Sequence, residues 1–329
     1  MSSNLLVSPV AIGRSRSEQR LLDRMVPPLL RAAVATSRAV LGGRGVGLGC
    51  TTAAALISTG GQVSFRLGGG GAFRVRTDDR YWLPYLLLDQ SYETDLDHFL
   101  ARALTSRDSF LDCGANLGLW SIAVAGVIKD PARVVAVEAG SRTYAQLERN
   151  WNANDRSFTI MHRAVGDVSG EEVSFFASVG DHASATLVQS LSPGDAQQET
   201  VTTISLRDLI REQAGRQTAD DALTFVKLDI EGMERQVFST LDPGQHGNLV
   251  ILYEDHGSQT DHVTSFVVER GFRAAFLADD GTLEPIGAAN LDRLDALKTN
   301  AARGYNLLAF ARSGPAAARM AALFPRDLG

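Results

Sequence analysis

Apolar and polar positions are patterned differently on the two sides of residue 80. Beyond it, short apolar runs alternate with stretches of helical spacing. The runs at 109–112, 133–138, 158–162, 172–177, 199–204, 224–228, 249–253, 272–277 and 306–311 predict strands. Helical spacing predicts helices at 94–104, 119–127, 142–151, 206–213, 233–241, 262–270 and 289–303. Continuously apolar strands bounded by helices imply an α/β fold with a parallel sheet covered on both faces. Ligands of such sheets bind beyond the carboxyl ends of the strands.

Before residue 80 the pattern predicts a helical and hairpin extension. Residues 18–41 place Leu21, Leu22, Met25, Leu29, Leu30, Val34 and Val40 at helical spacing around Pro27-Pro28, which splits them into two helices. That stripe is too apolar to stay exposed, so it packs on the main domain or forms a homodimer contact. Alternating segments at 63–67 and 72–75 flank Gly68-Gly69-Gly70-Gly71, a hairpin signal. The glycine run is read as a turn and not a phosphate loop, because no Lys-Ser or Lys-Thr follows and no helix opens there. The chain thus divides into an extension at 1–80, a main domain at 81–313 and a C-terminal tail at 314–329.

The run Phe110 to Gly118 closes an apolar strand on Asp112 and turns through glycines into a helix. Asp112 is expected at the sheet rim. Gly114 and Gly118 remove side chains that would block close backbone approach, and Asn116 can cap the helix. One βαβ unit later the next strand ends on Glu138, placed to take the hydroxyls of a ribose. A dinucleotide fingerprint would put a glycine where Asp112 stands, and an aspartate repels a pyrophosphate. It suits a ligand carrying an ammonium and a sulfonium, as S-adenosylmethionine does. An NAD-dependent oxidoreductase is thereby disfavoured, and a cofactor-binding scaffold without turnover is the alternative from another class.

Composition narrows the partners. The 329 residues carry a formal charge of −6, and Lys129, Lys227 and Lys298 are the only lysines. The arginines are scattered singly, so a nucleic-acid backbone is excluded as the main partner. Cys50 and Cys113 are far apart in sequence and read as reduced thiols of a cytoplasmic protein. No run of about 18 apolar residues predicts a membrane span.

Tyr92-Glu93, LDCGANLGLWS at 111–121, VVAVEAG at 134–140, AVGDVSGE at 164–171 and VKLDIEGMERQVF at 226–238 together resemble the FkbM-type methyltransferases. The resemblance spans roughly residues 81–312, with LDIEG its most specific part. It implies a Rossmann-like class I methyltransferase sheet of seven strands, S-adenosylmethionine as donor, and O-methylation of a sugar, glycan or polyketide-type acceptor. By position it places Asp112, Gly114, Ala115, Asn116 and Gly118 around the methionine half of the donor. Glu138 falls on its ribose, Ala164 and Val165 near its adenine, and Ala139 is counted with the donor-binding residues. Glu93 reaches the methionine end or caps the helix that follows. The sequence departs from the family at Ala139-Gly140, where a proline is common, and at Met233, where a small residue is usual.

Methyl transfer to an alcohol also requires loss of a proton to a base, or a metal that acidifies the hydroxyl. Candidates stand at two strand ends: Asp229 and Glu231 after one, Glu254, Asp255 and His256 after the other. Asp229 is the first choice, with Glu231 and His256 beside it. Glu234 is read as complementing the dipole of its helix. A divalent ion such as magnesium is the alternative to a base. The spacing favours no metal, since the alternating side chains of 254–256 cannot all face one ion.

Overall fold

The computed structural model describes residues 10–11, 46–57, 61–87, 92–178, 185–186, 196–216, 219–230, 232–255, 262–298 and 305–325. The helices expected at 18–41 lie outside them. Fifteen strands are described: β1 Val10–Ala11, β2 Gln62–Arg66, β3 Ala72–Arg76, β4 Ser109–Cys113, β5 Val134–Glu138, β6 Thr159–His162, β7 Ala164–Gly166, β8 Glu172–Ser178, β9 Ala185–Thr186, β10 Ala196–Ser205, β11 Thr224–Leu228, β12 Leu249–Glu254, β13 Arg273–Leu277, β14 Leu283–Ile286 and β15 Asn306–Phe310.

The main sheet has eight strands in the order β14-β13-β15-β12-β11-β4-β5-β6, against the seven expected. From β12 to β6 every pairing is parallel. β15 runs antiparallel between β12 and β13, and β14 adds an antiparallel edge, so the sheet is mixed rather than purely parallel. The extra strand arises from an Asp280-Gly281 turn, a strong hairpin signal in the sequence. There Gly281 takes φ 77° and Asp280 Oδ1 accepts the Thr282 amide at 3.0 Å. The helix expected at 289–303 is reduced to Arg293–Leu297, with residues 299–304 outside the described set. Strands β4, β5 and β11 are buried at every position, as expected for strands covered on both faces. On one face lies the helix Leu119–Ile128, apolar almost all round and nearly wholly buried. A four-stranded sheet, β7-β10-β8-β9, stands beside the carboxyl end of β6.

The hairpin forms as β2 and β3, and it belongs to the same hydrophobic cluster as β4 and the helix Leu119–Ile128. Its glycine turn lies directly on that helix: a Cβ on Gly71 would come within 2.3 Å of Ile122 Cγ2, and one on Gly126 within 2.6 Å of the Gly69 carbonyl. Asn150 and Asn154 then serve the edge of β3, accepting the Arg74 and Ala72 amides at 2.9 and 2.7 Å. At the other terminus residues 315–323, read from sequence as tail, form the helix Pro315–Leu323. Phe324 stacks on Phe99, and Arg319 Nη1 donates to the buried Asp108 at 2.6 Å. Both flanks therefore pack into the core of the main sheet.

Candidate functional site

A cleft crosses the carboxyl ends of β12, β11, β4, β5 and β6. It forms where the β4 turn has to pass beneath the end of β11. The Asp229 amide donates to the Cys113 carbonyl at 3.0 Å, while Gly114 and Ala115 donate to the Val137 carbonyl at 3.0 and 2.9 Å. Gly114 has φ 83°, and a Cβ there would lie 1.9 Å from the Asp229 carbonyl oxygen. The glycine is needed for strand-end crossing within the protein. Gly118 likewise meets Leu147, not open space, and takes the N-cap position of the helix with φ 85°. Asn116 does not cap that helix as expected. It sits at φ 52° with its own Oδ1 accepting from the Leu117 amide at 2.8 Å and the Trp82 indole at 3.3 Å.

Asp112, Gly114, Ala115, Asn116, Glu138, Ala139, Ala164 and Val165 all line the cleft. Asp112 is fully buried at the end of β4, and its Oδ2 accepts the Ser121 amide and hydroxyl at 3.1 and 2.6 Å. Burial pushes this carboxyl above its ordinary range, against the opposing pull of Lys227 and Ser121. The two oxygens of Glu138 accept the Asn116 and Gly140 amides, each at 2.9 Å, which fixes the carboxylate at the rim. Ala164 and Val165 belong to the short strand β7, a placement the sequence pattern did not foresee.

Asp229 also lines the cleft, held by Lys227, whose Nζ donates to Oδ2 at 2.7 Å. Burial alone would lower the Lys227 ammonium. The carboxylates of Asp229, Glu93, Asp112 and Glu254 outweigh it and hold the lysine well above the usual range. Glu254 lines the same wall, but its neighbour Asp255 turns to the opposite face. There Asp255 accepts the Thr264 amide at 2.9 Å and Lys298 Nζ at 2.9 Å, with His262 Nδ1 at 3.2 Å. Glu234 is not merely a dipole partner: it accepts the Gly232 amide at 2.9 Å and braces the loop after Asp229. Glu231 and His256, expected beside Asp229, lie outside the described residues.

Glu93 precedes its helix at φ 40° and makes no cap hydrogen bond. Its side chain instead accepts from the indole of Trp120, a cleft residue, and from Asn306 Nδ2 at 3.4 Å. Burial pushes the Glu93 carboxyl up to about 7; Glu254 and Asp229 add to the rise, and Lys227 and Trp120 oppose it.

Sequence reasoning gave no site role to Lys227, Trp120, Phe175, Arg163 or the aromatic wall of Tyr81, Trp82 and Tyr92. Lys227 could have been found, because a lysine inside the apolar run Thr224–Leu228, two residues before Asp229, has to be paired once buried. The aromatic wall could not. Its rings meet at 4.7 Å for Trp82 and Tyr92 and 5.2 Å for Tyr81 and Trp82, contacts set by how the short helix Trp82–Leu87 docks. Among the described residues no group of three or more His, Cys, Asp or Glu side chains is arranged to hold a metal ion. No described helix is long and apolar enough to cross a membrane.

Residues 112–274 match the family model of the methyltransferase FkbM domain, so the resemblance carried by the motifs holds over that stretch. Among solved structures the chain is similar to methyltransferase FkbM from Methylobacillus flagellatus KT, at 13% identity and a TM-score of 0.38. The match covers 71% of this chain and 54% of that one, so the chain spans about half the length of that protein. None of the curated proteins matches the chain.

Proposed function

We propose, from the FkbM methyltransferase domain at residues 112–274, that the chain is an S-adenosylmethionine-dependent O-methyltransferase acting on a hydroxyl of a sugar, glycan or polyketide-type compound. The observation that carries this reading is one cleft holding Asp112, Glu138, Asp229 and Glu254 together beneath an aromatic wall. Such a lining fits a ligand with an ammonium and a sulfonium, and fits a pyrophosphate poorly. We assign Asp112 and the Gly114-Ala115-Asn116 turn, closed over by Trp120 and Glu93, to the methionine half. Glu138 with Ala139 takes the ribose; Ala164, Val165 and Phe175 take the adenine. When bound, the donor supplies an electrophilic methyl group.

The remaining steps belong to the chain's own side chains. Asp229 stands at the acceptor side of the strand ends and takes the proton of the acceptor hydroxyl. Lys227 holds that carboxylate in place through the hydrogen bond from its Nζ. A carboxylate can serve, because the hydroxyl proton becomes far more acidic as its oxygen gives up electron density. Trp82, Tyr81 and Tyr92 exclude water from the wall above. The phenols of Tyr81 and Tyr92 are pushed up by burial and stay neutral, so they contribute hydrogen bonds and surface rather than base catalysis. We assign catalysis to a domain spanning 81–313, with the β2–β3 hairpin as a buttress for its first helix.

The test is titration calorimetry of the full chain with S-adenosylmethionine and with NAD, followed by release of labelled methyl to hydroxylated acceptors. Micromolar donor binding with no NAD binding is the expected result. Binding of NAD alone would overturn the reading.

A further inference from the structure

The turn that carries Gly114, Ala115 and Asn116 is held from outside the stretch that matches the family, residues 112–274. Asn116 takes φ 52°, an uncommon conformation for any residue but glycine. In that conformation its amide donates to Glu138 Oε2 at 2.9 Å. Its Oδ1 accepts from two donors, the Leu117 amide at 2.8 Å and the Trp82 indole at 3.3 Å. An indole N–H can only donate, so the Asn116 atom facing it is the oxygen. The next residue of the turn is also tied: the Leu117 carbonyl accepts from Asn150 Nδ2 at 2.8 Å.

Both ties lead back to the N-terminal hairpin. Asn150 is fully buried on the helix Ser141–Ala153, and the same Nδ2 donates to the Arg74 carbonyl of β3 at 3.1 Å while its Oδ1 accepts the Arg74 amide at 2.9 Å. The buried Trp82 ring lies edge-on to Phe73 of β3 at 5.2 Å between centroids, with Tyr81 and Tyr92 also against it. Its backbone is fixed as well, because Asp79 Oδ1 accepts the Tyr81 and Trp82 amides at 3.0 and 2.7 Å. A donor whose ring is locked by packing loses little freedom in making its bond.

We propose that Trp82 is a positioning residue for donor binding, its indole N–H keeping Asn116 in the left-handed turn from which the Asn116 amide orients Glu138. Residues 72–82 thereby belong to the functional unit, although the family match begins at residue 112. The word donor rests on the methyltransferase reading, whereas the hold on Asn116 does not. With the indole bond removed, the Leu117 amide still binds the Asn116 oxygen. The turn then loosens without unfolding, and the loss falls on ligand affinity more than on stability.

Trp82→Phe keeps an aromatic ring and removes the N–H. In calorimetry of the full chain it should weaken S-adenosylmethionine binding about fivefold to tenfold, the scale of one hydrogen bond. Asn116→Ala should lose at least as much, and the double variant no more than Asn116→Ala alone, because both changes remove the same bond. Unchanged affinity in Trp82→Phe, or losses that add in the double variant, would overturn the proposal and leave Trp82 a packing residue. Indole ¹H–¹⁵N spectra supply a readout that needs no ligand. The chain has three tryptophans, and the signal missing from Trp82→Phe should move in Asn116→Ala. Those of Trp120 and Trp151, which donate to Glu93 and to the Phe158 carbonyl, should stay in place. An unmoved Trp82 signal would also overturn the proposal. A moved signal in a chain that binds no S-adenosylmethionine would sink the methyltransferase reading and leave the hold of Trp82 on Asn116 standing.

Discussion

Glu254 and Asp255 are consecutive residues at the end of one strand, yet they serve two buried polar clusters of opposite character. Asp255 faces the helix Val263–Glu269, where burial alone would raise its carboxyl. The Thr264 hydroxyl, Lys298 and the Thr264 amide outweigh that and hold it below the ordinary range. Glu254 faces the cleft, where Lys227 is shared among four carboxylates. There burial wins: Asp112 is raised, and Glu93 is raised to about 7. A carboxylate given its own donors is part of the scaffold. Asp112 and Glu93, raised by burial beside one shared lysine, are perturbed groups in a cleft, the physical mark of a ligand site.

The sharpest way to break this contrast is to exchange the expected effects. Asp255→Ala leaves Lys298 and His262 without their hub and should cost about 3–5 kcal/mol of stability, the range for stripping one partner from a buried pair. Denaturant unfolding measures it, and donor affinity of the folded fraction should stay within twofold. A large affinity loss at unchanged stability would show the two clusters to be one.

Asp229→Asn should do the reverse. Turnover should fall by about 10²-fold or more, the usual scale for a general base, while donor affinity changes little. Single-turnover methyl transfer separates the two quantities, and retained turnover would move the proton acceptor elsewhere.

Asp112→Ala and Glu138→Ala should each weaken S-adenosylmethionine binding by about 1.5–3 kcal/mol, the scale of a hydrogen bond to a charged group. Calorimetry reads this directly; unchanged affinity in both variants would remove the donor from this end of the cleft.

The last effect is a pH dependence carried by Glu93. Its native carboxyl, at about 7, lies above the ordinary value of 4.5, so between those pH values the native state holds a proton that the unfolded chain has released. Stability should therefore fall as pH rises from about 4.5 to 7, by at most about 1.4 kcal/mol per pH unit from this group. Glu93→Gln should flatten that slope in unfolding curves recorded across the range, whereas an unchanged slope would assign it to other groups.

Much of this was legible in the chain because strand ends are written locally. Apolar runs closing on Asp112, Glu138 and Asp229 identify the rim of an α/β sheet, and rim residues of neighbouring strands converge whatever the rest of the fold does. The roles of individual residues were less legible. Gly114 is invisible as a crossing point until Asp229, more than a hundred residues later, arrives beneath it. Asn116 reads as a helix cap by its type, but its own φ of 52° turns the side chain elsewhere.

The sequence by itself determined the parallel strands of the sheet and the residues at their rim, since hydrophobic period and turn residues act over a few positions. Only the tertiary structure decided which buried charges share a lysine and which have their own donors. It also decided which aromatic rings roof the cleft and how the N-terminal hairpin and C-terminal helix close the core. Those depend on contacts between residues distant in the chain, and on a balance of burial against pairing that exists only once the elements are packed.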